Sequence, residues 1–153
     1  MSDITNSINE TDHEKVLSDK EFKKACFLYA RDNFQGKYFY NVDTGLNILV
    51  SRDGLDKWYS KTKSRDQALS IKKLDKLLQE GKFINELSDK YKRQYVEGFI
   101  YLFAACKVNE NDYDAVITVK QTKGNPGKFY NYFLQNIKIK PCSGHDTSSE
   151  NPI

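Results

Sequence analysis

The sequence predicts an α+β fold, an antiparallel sheet of about five strands with helices packed on one face. Three observations carry this. Two stretches place apolar residues at helical spacing, each behind a capping-box pattern. The C-terminal half holds three runs rich in β-branched and aromatic residues, separated by turn signals. Aromatic residues reach 13%, with ten Tyr and nine Phe, which suits strands packed on a core.

Taken in order, residues 1–17 read as a flexible acidic arm. Ser18-Asp-Lys-Glu21 then opens a helix whose stripe is Phe22, Ala25, Cys26, Tyr29 and Ala30, with Gly36 beyond its end. "KYFYNV" and "LNILVS" flank Asp43-Thr44-Gly45, a hairpin signal with Gly where a positive φ is needed. "DGLDKWYSK" reads as a short helix begun by Asp53. Ser64-Arg-Asp-Gln67 repeats the capping spacing, and Leu69, Ile71, Leu74, Leu77 and Leu78 form a stripe that stops at Gly81. "KFINEL" fits a short strand or part of a turn. "QYVEGFIYLFAACKV", apolar on both alternating faces, has the character of a central strand. "NEND" turns it into "YDAVITVKQ", where Tyr113, Ala115, Ile117 and Val119 share a face, and "TKGNPG" turns it again into "KFYNYFLQNIKIK". The expected order is helix, two strands, two helices, three strands. It forms one domain over residues 18–140, with a flexible tail over 141–153.

Net charge is +3, yet the charge is unevenly placed. Residues 19–140 hold 23 Lys and Arg against 15 Asp and Glu, while both ends are acidic. A basic folded part favours an anionic partner. The three cysteines are odd in number and far apart, with no CxxC or Cys/His cluster, so no metal or other cofactor is expected. Cys106 lies in an apolar run and reads as a buried reduced thiol. "MSDITNSINETDHEK" lacks the layout of a signal peptide, and the longest apolar run, "GFIYLFAAC", is nine residues. The expected compartment is the cytoplasm, with no membrane partner.

Chemistry is sparsely announced. His13 and His145, the only histidines, both fall in the expected loose ends, where a catalytic geometry is hard to hold. "KGNPGK" precedes a strand instead of opening a helix, so it reads as a turn and not as a phosphate loop. What remains is the segment 119–140, with five lysines, four aromatics and no carboxylate. Alternation sends Tyr130 and Tyr132 one way and Phe129 and Phe133 the other. With the phenylalanines in the core, Tyr130 and Tyr132 stand on an open face near Lys120, Lys123, Lys128 and Lys138, where rings and cations suit stacked bases and phosphates. The plainer reading of the same residues, favoured because aromatic strands are usually core, packs the tyrosines under helices and leaves the lysines protecting a sheet edge. A second basic cluster, Lys57, Lys61, Lys63 and Arg65 around Trp58 and Tyr59, sits where two short helices join. Trp58 reads as a lid on the core. Arg52 follows a strand and carries a guanidinium suited to phosphate.

From about Gly36 to Lys140, "GKYFYNVDTGLNILVSRDGLDKW", a leucine-rich helix and three strands ending in "KFYNYFL" resemble the domains associated with large polyvalent proteins of phages and conjugative elements. Those domains are similar to the superfamily that groups barnase, EndoU, the RNA-cleaving colicins and RelE-like toxins. The resemblance implies metal-independent RNA cleavage in active members, or RNA contact alone in degenerate ones. Many members use histidine; RelE-like members manage with Lys, Arg and Tyr. That makes Arg52, Lys57, Lys128 and Tyr130 the catalytic stand-ins, and Lys120, Lys123, Tyr132 and Lys138 the nucleic-acid contacts. Lysine and tyrosine titrate far from neutrality, so each needs a strong shift to serve as acid or base. The alternative function is an interaction or immunity-type module docking an acidic protein. A third is a secreted effector delivered by its N-terminal arm.

Overall fold

Helix formation follows the caps. In the computed structural model, which describes residues 7–88, 96–123 and 130–142 and of Tyr130 only the backbone, Ser18 and Glu21 close a reciprocal capping box at the start of the helix Asp19–Phe34. A smaller box of Thr11 and Glu14 opens the helical turn Asp12–Lys15. In chain order the elements are β1 (Ser7–Ile8), α1 (Asp12–Lys15), α2 (Asp19–Phe34), β2 (Tyr38–Tyr40), β3 (Asn47–Leu49), α3 (Arg52–Lys61), α4 (Arg65–Ser70), a 3₁₀ turn (Ile71–Lys73), α5 (Leu74–Glu80), β4 (Lys82–Ser88), β5 (Val96–Val108), β6 (Asn111–Lys123) and β7 (Tyr130–Pro141).

The expected α+β class holds, but the sheet is mixed and larger than five antiparallel strands. Seven described strands run in the order β1-β5-β6-β7-β3-β2, with β4 also paired to β5. β1 lies parallel to β5, and β3 parallel to β7. These two pairings join strands of two and three residues to long ones, and so short a strand carries no sequence signal of its partner. The meander β5-β6-β7 is antiparallel throughout, as expected. Between β5 and β6 the chain reverses through Asn109 and Glu110, both at positive φ (49° and 68°), the geometry of a two-residue hairpin turn.

One face of the sheet is the core. Ile100, Leu102, Ala104, Cys106 and Val108 of β5 meet Ala115, Ile117 and Val119 of β6 and Leu134 and Ile137 of β7, all buried. Over them lie Phe22, Cys26 and Ala30 of α2, Leu55 and Trp58 of α3, and the leucine stripe, which α4, the 3₁₀ turn and α5 divide among themselves. Trp58 is fully buried, in keeping with a core role. Contact between α3 and β7 is backbone-close: a Cβ on Gly54 would stand 2.2 Å from the Leu134 carbonyl oxygen. Asn41, fully buried, donates to the carbonyls of Leu78 (2.7 Å) and Gly81 (2.8 Å) and accepts from Thr44 N–H (2.8 Å). It thereby ties the β2–β3 hairpin to the end of α5. Burial pushes the thiols of Cys26 and Cys106 up to about 12 and about 11, which keeps them protonated and inert.

Residues 7–17, expected to be loose, are docked. Arg65 reaches back from α4 to the Glu10 carboxylate (2.8 Å), Asp19 (3.1 Å) and the carbonyls of Leu17 (3.0 Å) and Glu14 (3.1 Å). Asn109, from the β5–β6 turn, donates to Glu10 (3.0 Å) and Asp66 (2.9 Å) and accepts the Glu10 N–H (2.9 Å). Lys72 pairs with Glu14, and Tyr113 donates to Asp66. Glu10 and Glu14, two of the acidic residues that make the segment look like a solvated arm, are the ones that anchor it.

This docking is acid-sensitive. The Arg65 bond, with help from Asn109, holds Glu10 below its ordinary 4.5. Burial alone would raise Glu14, but Lys72 and the Thr11 N–H outweigh it and hold Glu14 low as well. Both contributions are complete above 4.5 and are lost as pH falls through the lowered folded values. Amide exchange in residues 7–17, corrected for intrinsic rates, is expected to be slow at neutral pH and to accelerate only as pH falls below 4.5. Arg65→Ala, read by urea denaturation, is expected to cost about 2–3 kcal/mol at neutral pH.

Candidate functional site

Among the described residues helices cover one face of the sheet and not the other, and the register states what stands on that other face. Across β4, β5, β6 and β7 the first row is Leu87, Phe99, Lys120 and Phe133. The next rows are Asn85, Tyr101, Thr118 and Asn136, and then Lys82, Phe103, Val116 and Lys138. A last row pairs Ala105, Asp114 and Lys140. Three rings thus stand on alternate positions of β5, about 6–7 Å apart, with a fourth across the sheet. Lys120 lies over the Phe133 ring, 6.0 Å from its centroid. Phe103 is 36% exposed, and Phe99, Tyr101 and Phe133 are partly so. The face is aromatic along β5 and cationic toward β7, with Leu87, Asn85 and Lys82 on β4.

The expected site residues do not gather in one place. Lys120 and Lys138 are on this open face. Tyr132 is not: it lies opposite Gln121, which is buried, and packs against the core, while Phe133 faces outward. A bulge between the pairs Thr118–Asn136 and Val119–Leu134 is the cause. It inserts one extra residue in β7 and reverses the alternation that places Phe133 inside. Lys123 stands exposed at the end of β6, 3.7 Å from Glu97. Arg52 and Lys57 belong to α3, on the helical side of the sheet. Ser51, not Asp53, caps that helix, so Arg52 is its first residue. Arg52 is 3.9 Å from Asp56 and Lys57 is 3.3 Å from Asp53, ordinary surface pairs one turn apart. Lys128 lies outside the described residues, as does the side chain of Tyr130. His13 is exposed on α1, and His145 lies outside the described residues.

A second feature adjoins the face. β3 pairs with β7 only at Tyr132 and Phe133, so the edge of β7 beyond them meets side chains instead of a strand. Gln67 fills this role. Its amide donates to the Ile137 carbonyl (2.6 Å) and accepts the Ile139 N–H (2.9 Å), the pattern one residue of a parallel strand would make. Ser64 still accepts the Gln67 N–H (3.0 Å) as a helix cap, but Gln67 does not return the bond; its side chain is committed to β7. Beside it Lys61, Lys63, Ser64 and Lys138 line a half-open cleft.

The family profile of large polyvalent protein-associated domain 3 matches residues 18–131. The chain belongs to this family. No curated protein and no solved structure matches it. As a large polyvalent protein-associated domain it fits the phage and mobile-element setting that the sequence suggested. The matched span covers α2 through β6 and the first residues of β7, while β1 and α1 precede it. Among the described residues no helix is long and apolar enough to cross a membrane.

Sequence reasoning missed Phe99, Tyr101 and Phe103 as face residues, because a strand apolar on both sides reads as doubly covered. It also missed Gln67. One signal was present: Leu134 and Ile137 are both core-type residues but out of phase, which requires an extra residue between them. In this domain Gln67→Leu is expected to lower stability by about 1–3 kcal/mol, since two backbone groups of β7 lose their partner. The change should appear as a lower urea midpoint with an unchanged slope.

Proposed function

We propose that the open sheet face binds single-stranded RNA. The supporting observation is the row in which Lys120 stands between Phe99 and Phe133, with Tyr101 and Phe103 following on β5 and Lys138 and Lys140 on β7. Bases stack on rings regardless of sequence, and the flanking ammonium groups neutralise the backbone phosphates. A sheet suits this task because alternate residues hold their rings at fixed spacing without a loop to order. The choice of RNA draws on what the resemblance to large polyvalent protein-associated domains implies, a kinship of such domains with barnase, EndoU, the RNA-cleaving colicins and RelE-like toxins.

Binding is a better-supported reading than cleavage. The catalytic stand-ins Arg52 and Lys57 sit on α3, each beside a carboxylate one turn away, and across the sheet from the rings. Docking of an acidic protein is the second reading, favoured by the exposed Phe83, Ile84 and Leu87 of β4, at the edge of the sheet away from the β7 lysines.

Fluorescence anisotropy with labelled single-stranded RNA separates the two. RNA binding is expected to weaken about tenfold or more in Phe99→Ala and in Phe133→Ala. Lys120→Gln and Lys140→Gln should each reduce the slope of log affinity against log salt by about 0.7. Absence of RNA binding at low salt, with a stable complex recovered on an acidic protein, would favour docking. Chelator-resistant RNA cleavage that is lost in Arg52→Ala would restore the nuclease reading.

A further inference from the structure

The cleft at the β7 edge has the chemistry of an anion site. Thr62 is buried, its hydroxyl donating to the Trp58 carbonyl (2.7 Å), and its backbone is extended (φ −77°, ψ 125°). Lys61, the last residue of α3, and Lys63 flank the anchored Thr62, are both exposed and line the same cleft. Lys138 completes the lining from β7, and the cleft encloses about 350 Å³. No Asp or Glu lines it, and among the described residues none of these three lysines has a carboxylate within salt-bridge distance. Ser64 uses its oxygen to accept the Gln67 N–H, which leaves its hydroxyl proton available to an anion. Three ammonium groups and a hydroxyl around a cavity without a counter-charge form a concave positive site.

Position gives the site its use. Lys138 belongs both to the cleft and to the open-face row with Val116 and Phe103. Because β3 stops at Leu49 opposite Phe133, a strand leaving the face past Lys138 crosses the β7 edge at the point Gln67 seals. We propose that the cleft receives a phosphate group, and that its source is the backbone of the polynucleotide lying on the open face. The source, though not the anion chemistry, rests on the RNA-binding reading.

The test combines two probes with the wild-type chain and the double variant K61Q/K63Q, whose altered residues are exposed and lie away from the rings. Pyrophosphate is titrated while the NMR signals of the Gln67 side-chain amide and the Ser64 backbone are followed. RNA affinity is measured against salt. Saturable shifts that vanish in the variant, together with a salt slope reduced by about 1.4, are the expected result for two lost phosphate contacts on a single strand. A reduced slope without a pyrophosphate response supports the polynucleotide as the source. Pyrophosphate shifts with no RNA binding to either chain support the phosphate site and overturn the open-face reading. Pyrophosphate shifts with RNA binding of unchanged slope assign the cleft to a free phosphate compound and overturn its part in RNA binding. No shifts and an unchanged slope overturn the cleft and leave the open face standing.

Discussion

Val119 lies opposite Ile100 on one side and Leu134 on the other, and this register determines which way β6 turns its side chains. With Val119 inward, Ala115 and Ile117 follow it under the helices, and Lys120, Thr118 and Val116 must face away. A shift of one residue would exchange the two sets and put a lysine into the core. Among the described residues the helical layer covers one side, so the chemistry of the other side follows from the same constraint. The aromatic and cationic face is the complement of the core.

The N-terminal segment shows the same economy. Arg65, which caps nothing in its own helix, collects Glu10, Asp19 and two carbonyls, and it also lies over the Phe22 ring at 4.2 Å. Asn109 adopts a positive φ that few residues accept, and its side chain joins the β5–β6 turn to Glu10 and Asp66. One guanidinium and one amide therefore attach β1 and α1 to the edge of β5 and seal the end of the sheet.

Much of the architecture was legible because it is written in local patterns. The box of Ser18 and Glu21, the stripe ending at Gly81 and the meander from β5 to β7 rest on caps, periodicity and turn residues, which act over a few positions. The parallel pairings and the docked segment were illegible because they depend on partners far along the chain, such as Arg65 with Glu10. The face was half legible: Lys120 and Lys138 do stand on the side away from the helices, whereas Tyr132 and Phe133 were exchanged by a bulge that strict alternation does not foresee; the role of these residues is a separate question. Gln67 was recognised as a capping residue, but its side chain serves β7 instead.

Cross-strand NOE spectroscopy on the isotope-labelled chain tests the register most directly. Backbone contacts are expected between Val119 and Leu134 and between Thr118 and Asn136, with Lys120 side-chain protons shifted upfield by the Phe133 ring. Contacts pairing Val119 with Phe133, and Lys120 shifted by Tyr132 instead, would turn the rings to the opposite side and remove the face on which the account rests.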